Sequence, residues 1–300
     1  MKILVTGAAG QVGQSLVQQG SMAGYNMLGY DRQQLDISDR ESVLTVLKTA
    51  APDLVINAAA YTAVDRAEIE SCYAYAINEQ GPAFLARTCE EMDIPLFHIS
   101  TDYVFAGDKQ GAYDEEDTVR PSGVYGASKE AGERAVRKAT DRHIILRTSW
   151  VFSPQGRCFP NTILRLAAER TELSVVNDQW GGPTSARAIA DVLLKIAACY
   201  QSQDTVDSFP WGTYHFSQLP HLSWYGFAAR LLDFAKAEGL VSEGFRLHAC
   251  TTEDYPTAVS RPANSTLASD KLLQAFSIAP SNWEDDLQKL IEHQRHQFGA

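Results

Sequence analysis

Gly7, Gly10 and Gly13 stand at regular spacing between an apolar run, Ile3-Leu4-Val5, and a segment with Val12, Leu16 and Val17 at helical intervals. A short, β-branched apolar block of this kind suits a strand buried on both faces. Strand, glycine turn and helix in direct succession leave few folds open. Gly7 permits the tight turn, Gly10 lets the backbone approach a pyrophosphate, and Gly13 lets the helix pack close to the strand, with the phosphates at the helix N-terminus. The spacing is Gly-x-x-Gly-x-x-Gly, not the Gly-x-Gly-x-x-Gly of the usual dinucleotide fingerprint, so a ligand-free αβ turn is the competing reading. A second strand-like run, Met27-Leu28-Gly29-Tyr30, ends at Asp31. An acid there either accepts hydrogen bonds from an adenosine ribose or caps a loop. Arg32 follows and suits a 2′-phosphate, so NADH and NADPH are both open.

The rest of the first half repeats the alternation. Strand-like runs at 2–6, 26–30, 53–58, 94–100 and 143–147 enclose helical patterns at 11–22, 40–50, 72–92 and 122–139. This predicts an α/β fold, a doubly wound parallel sheet of Rossmann-like type, with its ligand at the carboxyl ends of the strands. The second half is less regular and is interrupted by prolines from Pro154 to Pro262. Helical stretches near 161–170, 185–201, 223–238 and 283–297 suggest a second, smaller mixed α/β lobe for the substrate. The expected division is an NAD(P)-binding domain over 1–150, with 185–201 packing back onto it, and a substrate lobe formed by 151–184 and 202–300. The cleft between them is the expected site.

Composition removes other classes. The 300 residues carry a formal net charge of −11, which gives no electrostatic case for nucleic acid or an anionic membrane. No apolar run is long enough to span a bilayer, and the N-terminus enters a strand directly, which predicts no signal peptide. The five cysteines are odd in number and scattered, as expected of reduced thiols in a cytoplasmic protein, and they make no metal site.

Chemistry enters with Tyr125 and Lys129, four residues apart and on one face if their segment is helical. A phenol has a pKa of about 10, and a neighbouring ammonium favours its phenolate, so the pair is a route to a general acid for ketone reduction. Asn57-Ala58-Ala59-Ala60 follows a strand, and its small side chains either admit a flat ligand or pack a crowded strand end. Ser100 and Thr101 end another buried strand, where a hydroxyl either stabilises a developing oxyanion or caps the turn.

The glycine turn, the Ser100-Thr101-Asp102 loop and Tyr125-x-x-x-Lys129, in this order, resemble the extended short-chain dehydrogenase/reductases. Narrower strings resemble the dTDP-4-dehydrorhamnose reductases of that superfamily. They are Gly10-Gln11-Val12-Gly13, Asn57 to Asp65, Ser100-Thr101-Asp102-Tyr103-Val104-Phe105, Arg147-Thr148-Ser149-Trp150-Val151, Asn177 to Thr184 and Ser260-Arg261-Pro262. They spread over nearly the whole chain. The resemblance implies an oxidoreductase that uses NADPH or NADH to reduce dTDP-4-dehydro-L-rhamnose at C4, in dTDP-L-rhamnose synthesis. It implies that Gly7, Gly10, Gln11, Val12 and Gly13 line the pyrophosphate and that Asp31 and Arg32 flank the adenosine ribose. Asp36 and Ile37 are placed by the adenine, and Ala59, Ala60, Tyr61 and Thr62 along the dinucleotide. Lys129 holds the nicotinamide ribose and lowers the Tyr125 pKa, Tyr125 donates the proton, and Thr101 polarises the carbonyl. Thr101, Asp102 and Trp150 hold the deoxysugar, and Arg261 meets the diphosphate or forms a structural ion pair. Dehydratases of the superfamily carry Thr-Asp-Glu at the hydroxyl loop; Tyr103 in place of that glutamate disfavours water elimination. Some family members dimerise through Mg²⁺ held by surface glutamates, whose positions here read Ser15 and Arg187. The resemblance therefore implies a monomer or weak homodimer without a metal bridge. Two other readings are another nucleotide-sugar 4-reductase or epimerase, and a non-catalytic NADP-binding subunit like the β subunit of methionine adenosyltransferase.

Overall fold

The computed structural model describes residues 1–202 and 208–298. Strand and helix alternate from the start: β1 (Lys2–Thr6), α1 (Gln11–Met22), β2 (Asn26–Tyr30), α2 (Arg40–Ala50) and β3 (Leu54–Asn57). Two short helices, α3 (Val64–Ala67) and α4 (Ser71–Tyr75), lead through a π-helical turn (Ala76–Gln80) into α5 (Gly81–Glu91). Then come β4 (Leu96–Thr101), a 3₁₀ turn (Asp102–Val104), α6 (Val124–Ala139) and β5 (His143–Thr148). The single helix expected over 72–92 is thus interrupted. Pro82 explains it: proline has no N–H for the carbonyl four residues back, Asn78, so the helix leaves its α register there.

All six strands of the main sheet run parallel, in the order β2-β1-β3-β4-β5-β10, the last of them (Gly212–His215) coming from the second half of the chain. Leu16 of α1 and Ile189, Leu193 and Ile196 from the second half pack on one face, against Ile3, Val5, Ile56 and Phe97. Val43 and Leu47 of α2, Leu85 and Cys89 of α5 and Val136 of α6 cover the other, against Leu4, Val55, Leu96 and Ile145. Because the chain steps outward from β1 to β2 and then returns to β3, the strand order reverses between β1 and β3. A crevice opens at such a reversal, beyond the carboxyl ends of the strands.

The second half contains β6 (Val151–Phe152), α7 (Phe159–Glu169), β7 (Glu172–Val176), β8 (Trp180–Gly181), β9 (Thr184–Ser185), α8 (Ala186–Gln201), β10 (Gly212–His215) and β11 (Leu222–Ser223). It ends with α9 (Trp224–Ala237), β12 (Arg246–Cys250), α10 (Asp270–Phe276) and α11 (Glu284–Phe298). A separate core of Phe152, Ile163, Phe227, Leu231, Trp283, Leu287 and Leu290 defines the smaller lobe. One boundary differs from the expectation that 202–300 belongs to that lobe. β10 joins the main sheet, in register from Gly212 opposite Ile144 to His215 opposite Arg147. Its Tyr214 and the following Phe216 are buried with Ile144 and Leu146, and Leu272 of α10 closes the same cluster. The edge of β5 is apolar and needs a partner strand, and only a return of the chain provides it. Residues 203–207 and 299–300 of the expected lobe lie outside the described residues.

Candidate active site

The glycine turn sits at the strand-order reversal. Gly7 has φ +64°, and a Cβ on it would lie 2.7 Å from the Ala59 backbone; a Cβ on Gly13 would lie 2.2 Å from the Gly7 carbonyl. The turn thus tucks under α1 and against the loop after β3, with room for backbone alone. Helix α1 begins at Gln11 with Gly10 as its N-cap, no side-chain cap and no acid in its first turn. Its leading N–H groups and positive dipole end face the cleft without an internal partner, which suits a pyrophosphate. Gln11 also accepts a hydrogen bond from the Ser153 hydroxyl (2.8 Å), which ties the turn to the smaller lobe.

Around this cradle the expected cofactor residues fall into two sets. Asp31 uses Oδ1 to accept from the Gln33 and Gln34 N–H groups (2.8 and 3.1 Å), the loop-capping role. Arg32 is exposed, over the Tyr73 ring and 3.8 Å from Asp36. Asp36 caps Ser38, and Ile37 is buried in the core against the Gly81 backbone. Ala59 is half-buried and Ala60 and Thr62 are exposed along the cleft. Tyr61 turns its phenol away, onto Glu70 (2.6 Å), while its backbone N–H and carbonyl are both held by the buried Asn78 amide (2.8 and 3.0 Å). Asn78 also donates to the Ser128 hydroxyl (3.0 Å), which donates to the Tyr125 carbonyl (2.8 Å). The π-helical turn that carries Asn78 therefore joins the loop after β3 to the first turn of α6.

Tyr125 stands in that first turn, half-buried, with its ring edge-on to Tyr103 at 5.5 Å. Thr101, at the end of β4, is buried; its hydroxyl donates to Asp102 Oδ1 (2.8 Å) and accepts from the Tyr103 N–H (3.2 Å). It serves the turn cap and the site together. Asp102 Oδ2 is buried without a protein partner. Burial raises the Asp102 carboxyl to about 6, against hydrogen bonds from Thr101 and Ser265. Burial likewise raises the Tyr103 phenol to about 12.

Lys129 lies one turn beyond Tyr125 and is 2 % exposed. Its ammonium donates to the Ile99 carbonyl (2.7 Å) and stands 3.4 Å from His98 Nε2. It is directed into the sheet rather than at the phenol. The Tyr125 pKa is accordingly raised, not lowered as expected: burial dominates, and Thr101 draws it partly back. Burial lowers the Lys129 pKa to about 8, with Glu133 acting in the opposite sense.

Two expected substrate residues lie farther out. Arg261 pairs with Asp65 at 2.5 Å, the ion-pair alternative, and its Nη1 is buried without a partner. Trp150 has φ +46° and stacks on Trp224 at 3.4 Å, within the aromatic cluster of the smaller lobe.

The chain matches the family described as the RmlD substrate binding domain over residues 1–296. It belongs to that family. A dTDP-4-dehydrorhamnose reductase of Aggregatibacter actinomycetemcomitans is 43% identical over 290 residues, 96% of this chain and 98% of the relative. Among solved structures, a dTDP-4-dehydrorhamnose reductase from Clostridium acetobutylicum superimposes with a TM-score of 0.89 at 33% identity, covering 98% of this chain and 100% of the other. The same enzyme from Bacillus anthracis, in complex with NADP, gives 0.87 at 34% identity over 97% and 98%. The buried polar residues behind the site, His98, Asn78, Glu133 and Arg147, were not expected from sequence. Two carried a signal: His98 is the one polar residue in Leu96-Phe97-His98-Ile99, and Glu133 continues the four-residue spacing of Tyr125 and Lys129.

Proposed function

We propose that this protein reduces the C4 ketone of dTDP-4-dehydro-L-rhamnose to dTDP-L-rhamnose with NADPH or NADH. The observation that carries this reading is the Thr101 hydroxyl beside the Tyr125 phenol, an acid that is protonated at neutral pH. A protonated phenol is a donor, as carbonyl reduction requires. The dinucleotide, when bound, supplies the hydride. Gly7, Gly10, Gln11, Val12 and Gly13 would hold its pyrophosphate, with Ala59, Ala60, Tyr61 and Thr62 alongside. The exposed Arg32 suits a 2′-phosphate, whereas Asp31 and Asp36 already accept backbone N–H groups; Ile37 would reach the adenine only by its edge. Thr101 orients and polarises the ketone, Tyr125 protonates its oxygen, and Lys129 supplies a nearby cation as the phenolate forms. Asp102 and Trp150 would hold the sugar, and Arg261, with one buried N–H group unmatched, the diphosphate. Tyr103, a phenol raised to about 12, stays protonated at neutral pH and so cannot serve as the base that the dehydratase glutamate provides.

The deciding assay is NADPH and NADH consumption with dTDP-4-dehydro-L-rhamnose and a panel of other 4-keto nucleotide sugars. Turnover fastest with the rhamnose precursor is expected. Preference for another sugar would move the protein to a different 4-reductase or epimerase, and cofactor binding without turnover would make it a regulatory subunit.

We also propose a monomer or weak homodimer without a bridging metal. Ser15 donates to the Gln11 carbonyl (3.1 Å), and Arg187 pairs with Asp286 at 2.6 Å, so a cation already occupies that surface. Sedimentation should give one mass with and without EDTA; a dimer dissolved by EDTA would overturn this. The net charge of −11 supports no nucleic-acid or membrane partner, and no helix among the described residues is long and apolar enough to cross a membrane. Five unpaired cysteines suit the reducing cytoplasm.

A further inference from the structure

His98 lies in β4, fully buried, and no step above uses it. Its two ring nitrogens face different partners. Asn57 Nδ2 lies 2.9 Å from Nδ1, and Lys129 Nζ lies 3.4 Å from Nε2. Donor and acceptor roles along this chain follow from one fixed point. The Ala59 backbone N–H can only donate, and it meets Asn57 Oδ1 at 3.1 Å. The Thr6 hydroxyl reaches the same atom at 2.6 Å. That atom is therefore the amide oxygen, and the amide NH₂ is turned to His98, where it donates. Nδ1 must accept, so the neutral ring carries its proton on Nε2.

That Nε2–H is aimed at Lys129, whose Nζ donates to the Ile99 carbonyl. An ammonium opposite an N–H donor gains nothing from it, whereas an amine lone pair accepts it. We propose that His98 is a positioning residue for Lys129: Thr6 and Asn57 fix its Nε2–H tautomer, and that N–H favours the amine form of Lys129 over the ammonium. The inference rests on the reading of Lys129 as partner of Tyr125. Its consequence is that His98 sets the pH at which the pair loses its cation, and with it the alkaline limb of turnover.

The other charges facing the pair are few. Glu133, on α6, favours the Lys129 ammonium; Arg137, also on α6, and His143, on β5, disfavour charge on His98. Burial acts first on both groups: it holds His98 well below the usual imidazole range and lowers Lys129 to about 8. A neutral His98 next to a lysine poised between its two forms is consistent with the hydrogen-bond chain.

Two substitutions in the full-length protein separate the roles. His98→Gln can accept from Asn57 with Oε1 and donate to Lys129 with Nε2, repeating the pattern of the ring. His98→Phe keeps the ring and removes both nitrogens. The Lys129 ¹³Cε resonance, assigned by its loss in Lys129→Met, is followed against pH, alongside the alkaline limb of kcat. In His98→Phe the Lys129 midpoint should rise by about 1 pH unit, the scale of a lost local dipole in a buried site. His98→Gln should leave it within a few tenths. In wild-type protein labelled with ¹⁵N-histidine, His98 should show a protonated Nε2 and an unprotonated Nδ1. An unmoved midpoint in His98→Phe, or a proton on Nδ1, would overturn the inference. A midpoint that moves while the kcat limb stays would leave the inference standing and remove Lys129 from the catalytic pair. Should His98→Phe fail to fold, the wild-type ¹⁵N spectrum still decides it, because a proton on Nδ1 would overturn the inference.

Discussion

Tyr125→Phe is expected to lower kcat by about a hundred- to ten-thousand-fold, the usual contribution of a positioned general acid. The substitution removes one oxygen and little else. The Phe ring keeps the edge-on contact with Tyr103 at 5.5 Å, and the Ser128–Asn78 bonds run through the Tyr125 backbone carbonyl, so the helix start is undisturbed. KM should therefore change by no more than about threefold, because an interaction made only as the proton moves does not contribute to ground-state binding. The readout is steady-state NADPH oxidation with dTDP-4-dehydro-L-rhamnose. A loss under about tenfold, or roughly 1.4 kcal/mol of barrier, would leave the phenol without its assigned role.

Arg147→Met should cost about 3–5 kcal/mol of stability, the penalty for leaving a buried carboxylate without its partner. Arg147, in β5, grips Glu133 of α6 with both arms, Nε to Oε1 at 2.8 Å and Nη2 to Oε2 at 2.7 Å. Glu133 is 0 % exposed and Arg147 is 2 % exposed. After the substitution Arg137, at 3.1 Å and partly in solvent, is the cation left on the carboxylate, with the Ser100 hydroxyl beside it. Burial alone would raise the Glu133 pKa; hydrogen bonding and charge from Arg147 outweigh it, and the net shift is downward. A depressed carboxylate stabilises the fold above its unfolded pKa, about 4.3, and that contribution is lost as pH falls through the lower folded value. Urea unfolding at neutral pH should show the full loss, and the gap between variant and wild type should close in acid. The double change Glu133→Gln with Arg147→Met should regain much of the stability, since it leaves no unpaired charge. A single-variant loss under about 1 kcal/mol would mean that water or Arg137 already carries the carboxylate.

The sheet and most of its helices were legible in the sequence because their signals are local. Ile3-Leu4-Val5 followed by three glycines can form little other than a buried strand and a close turn. Thr101, Tyr125 and Lys129 were legible because their spacing and residue types carry the chemistry. The direction in which Lys129 points was not legible. That depends on Ile99 and His98 in a strand thirty positions upstream, and no periodicity encodes a contact across elements. Asn78 was hidden for a related reason. Its position follows from Pro82 forcing the helix out of register, and the pattern over 72–92 reads as one unbroken helix. Asp31 shows the converse. Its type and place fitted ribose recognition and loop capping alike, and the N–H groups of Gln33 and Gln34 favour the second. β10 could not be assigned from its own residues, because four residues ending in Tyr214 and His215 gain a partner only where the edge of β5 is free.

The return of the chain to the main sheet through α8, β10 and α10 has a mechanical meaning. Neither lobe is a continuous stretch of polypeptide: the backbone leaves the sheet near Trp150, comes back at α8, departs at β11, and is drawn in again at α10 before ending on the far core at α11. The two bodies are laced together instead of hung on one hinge. Opening the cleft must bend all of those crossings at once, so its amplitude is limited by the stiffest of them, and heat should melt both lobes in a single step.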